Sequence, residues 1–152
     1  MGLRYKNKLI ILITTLFGIG EIPIGGGTIA SLLGMFSFIL INNYLSFFFF
    51  SIFFLFLSFS LSGKAEVIFG EKDCKKIVID DFVGSLVAFL FIPRDIRFIV
   101  AGILLFRILD ILKIFPIDRA EKLEGTKGIV GDDLIAGIYT NILLQIIRLF
   151  QI

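Results

Sequence analysis

Long apolar runs alternate with short polar breaks along the chain, and the runs have helix lengths rather than strand lengths. Residues 9–17 are apolar but too short to span a bilayer. They predict an interfacial or half-inserted helix after a basic start at Arg4, Lys6 and Lys8. Residues 18–27 form a glycine-rich break that holds Glu21 and Pro23, and residues 28–41 read as a helix. Asn42 and Asn43 make a minimal turn into residues 44–62, the second arm of a helical hairpin. That arm reads YLSFFFFSIFFLFLSFSLS and carries no charge. A helix of about 20 apolar residues crosses the hydrocarbon core of a bilayer.

Residues 63–76 are the most charged stretch and are expected in water. Residues 77–92 are apolar except for Asp80 and Asp81, and a turn at 93–95 follows. Residues 96–115 are apolar except for Arg97, Arg107, Asp110 and Lys113. A polar, glycine-containing segment at 116–131 leads into an apolar run at 132–150 that opens on Asp132 and Asp133. The pattern predicts an all-α fold: a small polytopic helical membrane protein with about four to five membrane-associated helices plus a short N-terminal helix. A single domain over 1–152 suits the length.

Composition strengthens the membrane reading. Hydrophobic residues make up 57% of the chain and charged residues 18%, with a mean hydropathy of +1.00. Soluble domains carry about 25% charged residues. The net charge of +2 gives no reason to invoke nucleic acid. The basic start and the apolar 9–17 run resemble parts of a signal peptide, but no small-residue cleavage site follows, so cleavage is not expected. Cys74 is the one cysteine, which excludes an internal disulfide and a cysteine metal cluster.

Lysine and arginine mark cytoplasmic loops. They gather at the N-terminus, at Lys64, Lys72, Lys75 and Lys76, and at Lys113, Arg119, Lys122 and Lys127. The topology that puts these three segments on the cytoplasmic side also puts the 18–28 loop, Asp80–Asp81, Asp110–Lys113 and Asp132–Asp133 at the cytoplasmic ends of their helices.

Ionisable groups in membrane helices are costly and are usually paired or functional. Asp80, Asp81, Asp110, Asp132 and Asp133 brought together would repel one another unless protons or cations compensate. Hard divalent cations prefer carboxylate oxygens, and Mg²⁺ fills its remaining positions with water and substrate phosphate. These five are the candidate metal ligands, with Asp80, Asp81, Asp110 and Asp133 also candidates for catalysis. Structural alternatives stand beside this reading. Asp132 has the residue type and position of a helix N-cap. Arg107, Asp110 and Lys113 share a helical face and could form an ion-pair ladder. Lys113, nearer the water, is the stronger candidate for a catalytic phosphate contact, assisted by Gly27 and Thr28 where a glycine-rich loop enters a helix. The loop is not a Walker motif.

The chain has no histidine. Phosphohistidine phosphatases, histidine-zinc hydrolases and Ser-His-Asp hydrolases are thereby excluded. EKDCKKIV lacks the phosphate cradle of a cysteine phosphatase, and no Asp-x-Asp marks an aspartyl-phosphate enzyme. Metal-assisted attack by water with a carboxylate base remains. The rival from another class is a small membrane cation transporter or channel subunit, which would also use membrane carboxylates and a glycine break.

Four ordered blocks, FGIGEIPIGGGTIASL, KIVIDDFVG, FRILDILKIFPI and GIVGDDLIAG, resemble the phosphatidylglycerophosphatase A family over residues 17–139. The resemblance implies a small multi-helix protein of the bacterial cytoplasmic (inner) membrane with a cytoplasmic active site. It implies Mg²⁺-dependent hydrolysis of phosphatidylglycerophosphate to phosphatidylglycerol, and it points to Thr28, Asp80, Asp81, Asp110, Lys113, Asp132 and Asp133. This chain departs from the family pattern at Gly26–Gly27–Thr28 (usually Pro-Gly-Thr), at Asp81 (usually Glu), at Ile114 (usually Pro) and at Thr126 (usually Gly). Each metal-capable carboxylate is kept.

Overall fold

The computed structural model describes residues 2–72 and 74–150. Among them, seven α-helices and no strands are present. The helices are α1 (Gly2–Thr14), α2 (Gly26–Leu40), α3 (Tyr44–Phe69), α4 (Ile79–Ala88), α5 (Ile96–Leu112), α6 (Ile117–Glu121) and α7 (Thr126–Phe150), with one 3₁₀ turn at Ile19–Glu21.

Two helices, α3 and α7, are long and apolar enough to cross a membrane. The 26 residues of α3 rise about 39 Å, some 9 Å more than a hydrocarbon core. That excess corrects the expectation that residues 63–76 form a loop. The helix continues through Lys64 and Glu66 to Phe69 and stops at Gly70, whose φ of 67° ends it in a left-handed cap. The apolar outer face of α3 exposes Leu45, Phe49, Phe53 and Phe56, while Ser51, Ser58 and Ser62 lie buried on the inner face. With 57% hydrophobic residues and such faces, the chain is a membrane protein.

Helix α4 sits at the centre, packed against α2, α3, α5 and α7. It spans only ten residues, about 15 Å, and then unwinds. An unwound backbone at membrane depth must be satisfied by neighbouring side chains. Asn141 of α7 does this: its Nδ2 donates to the carbonyls of Val87 (3.3 Å), Ala88 (3.1 Å) and Leu90 (2.8 Å). At the same end of the molecule, Arg94 donates to the carbonyls of Phe38 (3.2 Å) and Ile41 (2.5 Å), closing the end of α2, and stacks on Phe38 and Tyr44.

Glycines set how closely the helices approach. A Cβ on Gly137 of α7 would collide with the carbonyl oxygen of Gly84 in α4, and one on Gly34 of α2 would strike Ser85 and the Phe82 carbonyl. Small residues let membrane helices pack backbone to backbone. Gly84 lies four residues after Asp80 and Gly137 four after Asp133, so the contact holds the two acids about one turn away on adjacent helices.

Two further boundaries differ from expectation. Helix α1 starts inside the basic segment and ends at Thr14, leaving Phe17 in a turn. Helix α7 begins at Thr126, so Asp132 lies in its second turn and is not its N-cap. The polar look of 116–131 concealed this start, which is built from Thr126, Lys127 and Gly128.

Candidate active site

The start of α2, the first turn of α4, the end of α5, the end of α6 and the second turn of α7 surround one pocket of about 540 Å³. Every sequence-predicted site residue lines it: Gly27, Thr28, Asp80, Asp81, Asp110, Lys113, Asp132 and Asp133. Glu121, Arg107 and Lys75 line it too. Among the described residues, six carboxylates therefore face three cationic side chains, and the pocket is electronegative.

Asp80 and Asp81 occupy the first turn of α4, where the helix dipole favours carboxylates. With Asp133 they form a group in which each offers an oxygen within 4.8 Å of the others. Oxygen ligands at about 2.0–2.6 Å from a Mg²⁺ or Ca²⁺ ion sit up to about 4–5 Å apart across its shell. Asp80, Asp132 and Asp133 are 8%, 7% and 5% exposed, and each has a buried Oδ1 without a hydrogen-bond partner among the described residues. Buried polar atoms in native proteins are nearly always partnered. Carboxylate oxygens left without donors and crowded together fit a cation.

Arg107 bridges three elements. Its Nη1 lies 2.7 Å from Asp81 Oδ1, 2.8 Å from Asp110 Oδ2 and 3.3 Å from Ser31 Oγ. The ion pair from Arg107 to Asp110 is the first rung of the predicted ladder, but Lys113 does not form the second. Lys113 closes α5 in a left-handed conformation with φ of 46°, which swings its side chain toward α6 and α7. Its Nζ meets Glu121 and lies 3.2 Å from Asp132 Oδ2. Burial alone would lower the lysine pKa. The hydrogen bond to Glu121 and the charge of Asp132 outweigh it and hold the ammonium above its ordinary value. Lys113 is a fixed cation in the pocket.

The loop before α2 is held by close backbone contacts. Gly25 has φ of 87° and leads into Gly26, the first residue of α2, so Thr28 sits in the first turn rather than at the cap. A Cβ on Gly27 would lie 2.8 Å from Asp81 Cγ and closer still to Oδ2. Only a glycine lets the α2 backbone come this near the carboxylate. Sequence reasoning ranked Arg107 behind Lys113 and passed over Glu121. Arg107 was readable from its spacing to Asp110. No local signal marked Glu121, because α6 folds back onto the site only in three dimensions.

An electronegative pocket, whose crowded carboxylates fit a cation, thus lies at one end of a helix bundle that carries two helices apolar enough to cross a membrane. The sequence profile of the phosphatidylglycerophosphatase A family matches residues 12–148, and the chain belongs to that family of phosphoric monoester hydrolases. A Bacteroides thetaiotaomicron protein, provisionally named a phosphatidylinositol-3-phosphatase, is 32% identical over 96% of this chain and 98% of its own length. The phosphatidylglycerophosphatase A of Haemophilus influenzae is 36% identical over 90% of this chain and 86% of its own. That of Escherichia coli is 37% identical over 45% and 41%. No solved structure matches. The protein is thus a lipid phosphatase of phospholipid metabolism, and the transporter reading loses its ground.

Proposed function

We propose that the protein hydrolyses phosphatidylglycerophosphate to phosphatidylglycerol and inorganic phosphate, with Mg²⁺, in the bacterial inner membrane and with its pocket facing the cytoplasm. The observation that carries this is the meeting of Asp80, Asp81 and Asp133, beside Lys113 and the glycine-lined start of α2, with buried oxygens of Asp80 and Asp133 unsatisfied among the described residues.

Asp80, Asp81 and Asp133 would hold the cation, with Asp132 and Asp110 next to them. Bound there, Mg²⁺ supplies charge neutralisation for the phosphoryl group and activation of water. Lys113 and the first-turn backbone of α2 bind the phosphate oxygens and stabilise the charge that develops in the transition state. Arg107 holds Asp81 and Asp110 in place. A carboxylate of the cluster takes the proton from the attacking water as its oxygen bonds to phosphorus, and that proton passes to the glycerol oxygen as the phosphorus–oxygen bond to it breaks. Lys75 and Lys113, each from one of the basic segments, line this pocket, which supports a cytoplasmic orientation.

A second reading is favoured by the Bacteroides relative, which aligns over nearly its whole length and is named for a phosphatidylinositol phosphate. The same chemistry would serve an inositol headgroup. Purified chain in detergent, given each lipid with and without Mg²⁺, separates the two by phosphate release. Asp80→Asn, Asp110→Asn and Asp133→Asn should each nearly abolish release. Full activity in all three, or equal activity in EDTA, would reject the metal-assisted reading.

A further inference from the structure

The pocket holds a headgroup, and the acyl chains attached to that headgroup need a path. Its lining is mixed. Lys75, Lys113 and Glu121 are polar. Ile22 and Pro23 of the loop before α2 and Ile111 of α5 are apolar, exposed and also line the pocket. From these positions, apolar exposed residues continue along each helix. On α2 they are Leu32, Phe36 and Ile39, spaced to follow Thr28 on one face. On α5 they are Ile108, Leu104 and Val100, running back from Ile111 at helical spacing.

The two helices touch near the pocket, where Arg107 of α5 reaches Ser31 of α2 at 3.3 Å. Helix α2 takes its main packing from α4 and touches α5 less, and these side chains of both helices stay exposed. The α3 side of the bundle is different. There α3 packs against α4, α7 and α1, and among the described residues none from α3 lines the pocket.

Resting on the phosphatase reading above, we infer that the seam between α2 and α5 is the lateral acyl-chain subsite, through which the lipid slides from the bilayer with its phosphate entering between Ile22 and Ile111. Leu32 and Leu104 are then residues that recognise substrate length, and they touch no reacting atom.

The test uses the full chain in phosphatidylcholine nanodiscs. The probe is a non-hydrolysable phosphonate analogue of phosphatidylglycerophosphate with a diazirine midway along one acyl chain. After photolysis, adducts that excess unlabelled analogue displaces should map to residues 32–39 and 100–111. Displaceable adducts on α3 instead, or none displaceable anywhere, would overturn the inference. Because no turnover is needed, this arm decides the subsite even where the wild type releases no phosphate, an outcome that would count against the phosphatase reading alone.

A second arm compares wild type with the Leu32→Trp/Leu104→Trp double variant on long-chain and on water-soluble dihexanoyl substrate. KM for the long-chain lipid should rise about tenfold, roughly the weight of two buried methylene groups, while the dihexanoyl value stays unchanged. Equal losses on both substrates, or none on either, would overturn it. Should the variant fail to fold, the wild-type labelling decides between the two outcomes.

Discussion

Arg107→Met removes a cation that joins α5 to α2 and α4. The guanidinium is 21% exposed, and its partners Asp81 and Asp110 are 16% and 14% exposed at 2.7 and 2.8 Å. Breaking a buried ion pair from one side costs about 3–5 kcal/mol, because the remaining charge stays buried without its partner. Residual solvent contact here places the expected loss near the lower end, about 3 kcal/mol. For a chain of this size that corresponds to a drop in Tm of roughly 6–12 °C. Cys74 supplies the assay: it is buried at 4% exposure, it is the only thiol, and a thiol-reactive fluorogenic dye reports its exposure during heating in detergent. Mg²⁺ should recover part of the loss, since a cation offsets the same excess negative charge. The Arg107→Met/Asp81→Asn double variant should lose less than the two single changes together, by a coupling of about 1–3 kcal/mol. An Arg107→Met protein that unfolds with the wild type, or a double variant that is strictly additive, would refute the ion-pair account.

Other changes test separate parts of the design. Gly27→Ala should push the Asp81 carboxylate off Arg107 and lower phosphate release by at least about tenfold, with a modest fall in Tm, read by kinetics beside the dye assay. Gly137→Ala presses a methyl group on the Gly84 carbonyl and should destabilise by about 1–3 kcal/mol while weakening Mg²⁺ protection, because it parts α4 from α7 just below Asp80 and Asp133. Asn141→Leu leaves the end of α4 unsatisfied and should cost about 1–2 kcal/mol by thermal unfolding. At Cys74, burial pushes the thiol pKa up, so less thiolate exists at a given pH, and iodoacetamide should react far more slowly with folded than with unfolded chain at pH 8.

Much of the architecture is legible because membrane burial leaves a one-dimensional trace. The uncharged run at 44–62 announces α3, and the acidic doublets announce a functional cluster by the cost of placing charge in hydrocarbon, with Asp80 and Asp81 marking the start of α4. Boundaries were harder. Lys64 and Glu66 look like a loop because they are polar, yet the helix simply continues through them to Phe69. Asp132 looks like a cap because it precedes an apolar run, yet α7 had already begun at Thr126. Asn141 lies within an apolar stretch and gives no local hint that it satisfies a helix end more than fifty residues away.

Sequence alone determined the helical class, the membrane setting, the carboxylates and the absence of histidine chemistry, since each follows from residue type, spacing or count. The tertiary structure decided that Asp80, Asp81 and Asp133 share one cluster, that Arg107 ties Asp81 to Asp110, and that Lys113 turns toward Glu121 and Asp132. The reason is geometric. Hydropathy is summed residue by residue along the chain, whereas the meeting of distant charges depends on how closely helices can approach. That approach is set by glycines such as Gly84 and Gly137, whose effect exists only once two backbones touch.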